Sequence, residues 1–317
     1  MSKRKIDGLK IEEVADGVLL VKQTTPPFYF SCSDGLIVLP KEGRNDKLIV
    51  LDLNIEPKFV DALVKLFGNI SHYINSHGHM DHIAHVHAWE QQGAQILAPQ
   101  AEAKNLLELK NFYNCYEFEE GVKFSSIQQF GQINGYIPCE HVSHFIPGEI
   151  LKLGNLEVKT IALTGHSISH VGFLLQKEKI LHISCLGFDI SSPERDGFGP
   201  WYGFKQCSID RYKRDIEIVE KIYRKNVEFL TSSHGYIVRK PEMTPFNYMT
   251  KKFRENEAKI RYGLESQDPE FKLEEKIDKL LKKDLFFPKK KMEGFLKEIY
   301  TFWEYWIIKN HLLHLNR

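Results

Sequence analysis

The sequence predicts a layered α/β protein that ends in a helical segment. Three observations carry this. Short strand-like runs rich in Val, Ile and Leu alternate with amphipathic helical stretches up to about Met243. Polar clusters stand directly after two of those runs, where layered α/β proteins collect their sites. Beyond Met243 the pattern is helical almost throughout. With 317 residues, 42% of them hydrophobic, the chain can bury one large core with a small appendage, which excludes a disordered or fibrous protein.

Residues 11–40 hold VLLV, FYF and LIVL, short β-rich runs separated by turn residues. KLIVLDL, Lys47 to Leu53, is a further strand, and PKFVDALVKLF has helical periodicity. HYIN then reads as a strand that ends at Ser76. AHVHAWEQQG is a helix closed by Gly93, AQILAP a strand and AEAKNLLELK a helix. Several strands are expected from Gly121 to Leu163, EVKTIAL among them. HVGFLLQ and EKILHIS form a hairpin pair. Ser191 to Lys205 reads as a long loop, SIDRYKRDIEIVEKIYRK as an amphipathic helix, and EFLTSS as a strand that opens onto the second polar cluster. KLEEKIDKLLKK and the more apolar FLKEIYTFWEYWIIKNHLLHL complete the chain. The expected division is a domain over 1–242 and a helical extension over 243–317, packed on the domain or at a subunit interface.

The 43 basic and 42 acidic residues nearly cancel. A protein that coats nucleic acid carries a stronger basic excess, and the basic run KKDLFFPKKK reads as a solvated face. The five cysteines include no CxxC pair, which argues against a thiolate zinc finger and against a disulfide framework. No signal-peptide pattern follows the basic start, and no apolar run reaches the roughly 20 residues of a bilayer span. The expectation is a soluble cytoplasmic protein without a membrane partner.

The strongest signal is NSHGHMDH, Asn75 to His82. His77, His79, Asp81 and His82 crowd into six positions directly after a strand. Imidazole and carboxylate ligands suit zinc, iron or manganese. His77 and His79 can turn onto one metal, while Asp81 and His82 reach a neighbour.

This motif resembles the HxHxDH signature of the metallo-β-lactamase superfamily, and TGHSISH, Thr164 to His170, resembles its next motif with Thr164 in place of a proline. The resemblance, over roughly residues 11 to 240, implies a four-layer αββα sandwich. It implies His77, His79 and His166 as one metal site, with Asp81, His82, His234 and Cys185 as the other. His170 is expected to support rather than ligate. Cys185 in LHISCLGF stands where most hydrolytic members place a bridging aspartate. Two alternatives stay open there: Asp189 as the ligand, or a plain buried cysteine beside an altered or single metal site. The cofactors implied are two divalent ions, zinc first, with iron or manganese as alternatives. The di-iron redox members usually carry an acidic residue where this chain has His79.

The chemistry implied is hydrolysis by a metal-activated hydroxide, with Asp81 orienting it and relaying a proton. The expected substrate is a small ester, thioester or lactone; phosphodiester hydrolysis is the alternative, and β-lactamase activity or a non-catalytic binding role stands behind both. The short span between His166 and His234 leaves no room for the large inserted domain of RNA-processing members. Trp201, Tyr202 and Phe204 are candidates for a pocket wall, or for packing on the helix below, and Tyr236 for an oxyanion contact. Ser33, Asp34 and Asp52 are placed to support the metal layer. His85 reads as a supporting or surface residue, His182 as facing away from Cys185, and His141 and His144 as candidates for the pocket entrance. His311 and His314 read as structural, and a homodimer is the alternative use of the C-terminal helices.

Overall fold

The computed structural model describes residues 5–25, 31–186, 200–234, 236–264 and 271–315. Its first sheet runs β1 (Leu9–Ala15), β2 (Val18–Gln23), β3 (Gly35–Val38), β4 (Leu48–Leu51), β5 (Ile70–Ile74), β6 (Gln95–Pro99) and β7 (Val142–Phe145), paired in sequence order. Pairing is antiparallel from β1 to β4 and parallel from β4 to β7. The parallel strands need helical crossovers, which α1 (Pro57–Phe67), α2 (Met80–Ile83), α3 (Val86–Gln91), α4 (Leu109–Cys115) and α5 (Phe124–Ile133) supply. β3 and β4 are buried on both faces, which is why GLIV and LIVL carry no alternation.

The second sheet holds β8 (Ile150–Leu153), β9 (Leu156–Ala162), β10 (Val171–Leu175), β11 (Ile180–His182), β12 (Phe229–Thr231) and β13 (Ile237–Arg239). Here β11 and β12 are parallel, joined by the helix α6 (Ile209–Asn226). The two sheets face each other across a core that includes Val18, Leu36, Leu51 and Ile74 from the first and Val158, Val171, Phe173 and Ile180 from the second. The helices cover the outer faces, so the molecule is an αββα sandwich with helices added at its C-terminal end.

Those added helices are α7 (Thr244–Leu264), α8 (Leu273–Leu281) and α9 (Gly294–Leu315). Phe246, Met249, Phe253, Ile299, Phe302, Trp303, Trp306 and Ile307 belong to the same apolar cluster as the helices of the sandwich. The ring of Trp303 meets those of Trp201, Tyr300 and Phe130 at centroid distances of 5.0, 5.1 and 5.8 Å. Trp303 and Trp306 are thus buried within the single chain. No helix among the described residues is long and apolar enough to cross a membrane.

The structure departs from the expected elements in three places. AEAKNLLELK is split, because Glu108 is extended between a 3₁₀ turn at Ala103–Leu106 and α4. The strands expected from Gly121 begin only at Val142. Phe124, Ile127 and Phe130 recur every third residue, and Ile127 and Phe130 bury one face of a helix instead. In KKDLFFPKKK, Lys289 is buried and ion-paired with Glu304 and Asp284 rather than solvated. Most of the expected loop from Ser191 lies outside the described residues, as does Asp189; residues 200–207 form no regular element.

If α9 is part of the main core, Trp303→Ala should cost about 3–5 kcal/mol of unfolding free energy, the range for deleting a buried tryptophan. Urea denaturation followed by circular dichroism checks this. A loss below about 1 kcal/mol would mean that α9 only rests on the surface.

Candidate metal centre

One rim of the sandwich gathers the chain ends of β4, β5, β11 and β12, and the loop after β9. Leaving β5, Asn75 donates from Nδ2 to the His82 carbonyl at 2.9 Å and so folds NSHGHMDH back on itself. Asn54 donates to the Asp81 carbonyl at 2.5 Å and accepts from the His85 amide at 2.8 Å, tying the same turn to the end of β4. Gly78 must be glycine: a Cβ there would lie 2.5 Å from Asn105 Nδ2 and 2.9 Å from Glu102 Cβ. Gly165, which sets His166, would put a Cβ 2.2 Å from the backbone nitrogen of Tyr212.

Two groups of ligand atoms converge. Those of Asp81, His82, Cys185 and His234 all lie within 4.8 Å of one another, and so do those of His77, His166 and Cys185. Cys185 belongs to both. Its Sγ is 2.9 Å from His82 Nε2 and 2.9 Å from His234 Nε2. Asp81 Oδ2 is 3.3 Å from His82 Nε2. His79 stands outside both groups, its ring centroid 4.4 Å from that of His77 and 4.6 Å from that of His166. It is buried, with no hydrogen-bond partner at Nε2.

The partners behind the rings decide which nitrogens carry protons. Ser184 Oγ gives its single proton to Asp52 Oδ2 at 2.6 Å, so it must accept from Ser76 Oγ at 2.7 Å. Ser76 Oγ is then free only to accept, and His77 Nδ1 donates to it at 2.8 Å. His166 Nδ1 donates to the Trp201 carbonyl at 2.9 Å, because a carbonyl has no proton to give. Both neutral rings therefore present a bare Nε2, and these two acceptors face each other at 3.1 Å. Lone pairs at that distance repel unless a cation lies between them. Two nitrogens each about 2.0–2.1 Å from one tetrahedral zinc would be about 3.3 Å apart. The donor set and its spacing fit a metal ion.

Burial, and after it the neighbouring imidazoles, push His77 and His79 well below the ordinary histidine range; burial pulls His166 down to about 3. These rings are neutral at physiological pH, as ligands must be. His82 runs the other way. Burial opposes its charge, but the carboxylates of Asp52 and Asp81 hold it well above that range. Burial pushes the Cys185 thiol up to about 12 against the pull of His82. A bound cation would reverse that balance, since coordination deprotonates a thiol.

Asp52 sits beneath the centre, fully buried at the end of β4. It accepts from His82 Nδ1 at 3.0 Å, the Ser76 amide at 3.0 Å, Ser184 Oγ at 2.6 Å and Ser233 Oγ at 2.8 Å. Burial alone would raise its carboxyl, yet His82 and His182 hold it well below the carboxylate range. Ser33 donates to the Asp52 carbonyl at 2.9 Å, and the Asp34 amide donates to the Ser233 carbonyl at 3.1 Å. Sequence reasoning missed Glu102. This buried carboxylate accepts from the Gly78 amide, Tyr116, Ser167 and Ser169, and so joins the first histidine loop to the His166 loop. An acidic residue in a helix-like run gives no sign of such a role.

Other expectations resolve differently. His182 does not face away from the site: its Nδ1 meets Thr231 Oγ1 at 3.0 Å and its Nε2 meets Ser233 Oγ at 3.1 Å. The strand ends at His182 and a 3₁₀ turn carries Cys185, so alternation does not extend across the three positions. His170 is buried beside His166, 5.0 Å between centroids, and donates to the Leu163 carbonyl. His85 is buried, and neither ring nitrogen has a partner. His141 and His144 are exposed, outside both ligand groups. Of the pocket candidates, Tyr202 is fully buried and turned into the C-terminal helices, where its ring stacks on Phe253 at 5.5 Å. Phe204 is buried against Tyr116 at 4.4 Å and stands 5.0 Å from His79. Trp201 is half-buried, and Tyr236 is buried at the start of the backbone leading into β13.

No protein-family model and no curated protein matches the chain. Solved structures do. The DIM-1 metallo-β-lactamase superposes with a TM-score of 0.54 at 18% identity, covering 79% of this chain and 99% of that one. A metallo-β-lactamase from Pontibacter korlensis gives 0.54 at 16% identity over 78% and 99%. The FIM-1 metallo-β-lactamase from Pseudomonas aeruginosa, in its mono-zinc form, gives 0.53 at 17% over 78% and 95%. The fold is the metallo-β-lactamase fold.

Two outcomes follow for the protein stripped of metal. Asp52→Asn should weaken binding at the group containing His82 by about 10–100-fold, the usual cost of losing a carboxylate behind a ligand, in competition with a chromogenic chelator. The buried rings also set an acid limit. His166 titrates at about 3 when folded and at its ordinary 6.5 when unfolded, so between those values only the unfolded chain takes up the proton. His77, His79 and His170 are shifted in the same direction, and His82 alone among these rings opposes them. The urea midpoint should therefore hold above about pH 6.5 and fall steadily below it; a flat profile down to pH 4 would contradict the neutral assignment.

Proposed function

We propose that this chain, which carries the fold and the ligand motif of the metallo-β-lactamase superfamily, is a metal-dependent hydrolase of small esters, thioesters or lactones. The observation that carries the metal-dependent part is the pair of ligand groups sharing Cys185, with the bare nitrogens of His77 and His166 turned on each other. In this reading His77, His166 and His79 hold one divalent ion, and Asp81, His82, His234 and Cys185 hold the other. Zinc fits the nitrogen and sulfur donors best. Bound ions of this kind supply Lewis acidity and bring the pKa of a coordinated water toward neutrality.

The chain's own groups do the rest. Asp81 is placed to take up the proton released when water attacks. His82 and His234 hold its carboxylate below the usual range against the opposing effect of burial. It therefore stays ionised at neutral pH and able to accept. Asp52 keeps His82 turned toward Asp81 and Cys185. Tyr116 and Phe204 pack over His79, all three buried. The near-zero net charge favours an acyl substrate over a phosphodiester. The described ion pairs that reach the cluster join histidine to aspartate, with no lysine or arginine in them.

Protein loaded with zinc should retain about two equivalents, hydrolyse p-nitrophenyl acetate and a γ-lactone, and lose both activities to a chelator. Asp81→Ala should lower turnover by at least about 10²-fold, the low end for a proton-transfer group, with its circular dichroism unchanged. Faster hydrolysis of bis(p-nitrophenyl) phosphate than of any acyl substrate would favour the phosphodiesterase alternative. Retention of no metal would defeat the hydrolase reading altogether.

A further inference from the structure

We propose that the C-terminal helices act as a positioning strap for the metal centre, with Asn310 and the Tyr202 side chain anchoring the segment whose Trp201 carbonyl fixes His166. The inference rests on the hydrolase reading only for the identity of the ligands. Residues 200–207 form no regular element, so neighbouring segments must hold this stretch. Asn310, on α9, donates from Nδ2 to the carbonyls of both Tyr202 and Phe204, each at 3.0 Å. Asn256, on α7, donates to the Tyr202 hydroxyl at 2.8 Å, and that hydroxyl meets His311 Nε2 at 2.7 Å. All four side chains are buried. α9 is pinned in turn to α6, where His314 meets Asp210 at 2.6 Å and Lys213 at 2.9 Å.

Two consequences reach the metal centre from this held segment. The Trp201 carbonyl, one residue before Tyr202, is what His166 Nδ1 donates to, so its position decides that Nε2 is the bare nitrogen. Phe204, at the other end, presses on Tyr116 and His79. Among the three candidate ligand histidines whose Nδ1 partners are defined, His77, His82 and His166, the first two are oriented through Ser76 and Asp52 within the sandwich. His166 alone is oriented by a segment that the C-terminal helices hold. Asn310, Asn256 and His311 do not act on substrate; they act through the backbone on a ligand.

The test uses the full-length chain with three substitutions. Asn310→Asp keeps the shape but removes the donor, and Tyr202→Phe keeps the ring but removes the hydroxyl. Leu312→Ala lies on the same helix and serves as a packing control, since Leu312 belongs to the satellite cluster of the helices. Nitrogen-15 correlation spectra of the metal-free protein report the His166 tautomer directly. The wild type should show a single Nδ1–H form. Asn310→Asp and Tyr202→Phe should show a mixture, and should weaken one of two cobalt equivalents by about 10–100-fold while the other holds. Leu312→Ala should lower the melting temperature without moving the tautomer. If Asn310→Asp fails to fold, Tyr202→Phe alone decides. A single unchanged tautomer in the variants that fold would overturn the proposal, as would an equal shift in Leu312→Ala. A shifted tautomer in a protein that binds no metal would sustain the strap and defeat the hydrolase reading instead.

Discussion

The buried carboxylate of Asp52 is the interaction on which the rest of the centre depends. A charge with no exposure to water must be matched on every side, and this one is matched by an amide, two hydroxyls and an imidazole drawn from three different segments. Each of those partners is itself next to a candidate ligand or is one. Ser76 adjoins His77, Ser184 adjoins Cys185, Ser233 adjoins His234, and the imidazole is His82. Matching one charge thus ties four candidate ligands into a single network. Both sheets contribute, so the network also registers one sheet against the other at the rim.

Glu102 repeats this design on the other side of the centre. Its carboxylate gathers Gly78 from the first histidine loop and Ser167 and Ser169 from the His166 loop. Burial raises its proton affinity, and the four hydrogen bonds it accepts work against that. The centre is therefore braced by two carboxylates that are not in either ligand group. The Trp201 carbonyl provides a third support, and only this one is set from beyond the sandwich.

The sandwich was legible because its strands are short, apolar and bounded by turn residues, and because NSHGHMDH is too dense in ligand types to be incidental. The grouping of Asp81, His82, Cys185 and His234 follows from sequence order plus the resemblance that order carries. What was not legible has identifiable causes. Phe124, Ile127 and Phe130 sit among serines and glutamines whose helical face is visible only once α9 packs on it. His182 was judged by strand alternation across a point where the strand had already ended. Glu102 and Asn310 are polar residues in amphipathic stretches, where solvent is the default partner. Their roles depend on loops far away in sequence. Tyr202 reads from sequence as either a pocket wall or a packing anchor, because aromatic residues near a site serve equally well as both, and only its burial and hydroxyl partners tell the two apart.

The order of the first sheet bears on how the chain is made. All seven of its strands pair with their sequence neighbours, and the sheet is complete at Phe145, before any strand of the second begins. A chain emerging from the ribosome can lay down this sheet strand by strand. When it has done so, Val18, Leu36, Leu51 and Ile74 still face nothing, because their partners in the second sheet have yet to be synthesised. The half-made protein passes through a stage in which one entire sheet face is uncovered. At the 5–20 residues per second of translation, roughly 5–20 seconds separate the end of β7 from the arrival of β13. Over that interval the nascent chain is at its most prone to aggregate, and a chaperone that masks flat apolar surfaces would have its greatest effect on yield.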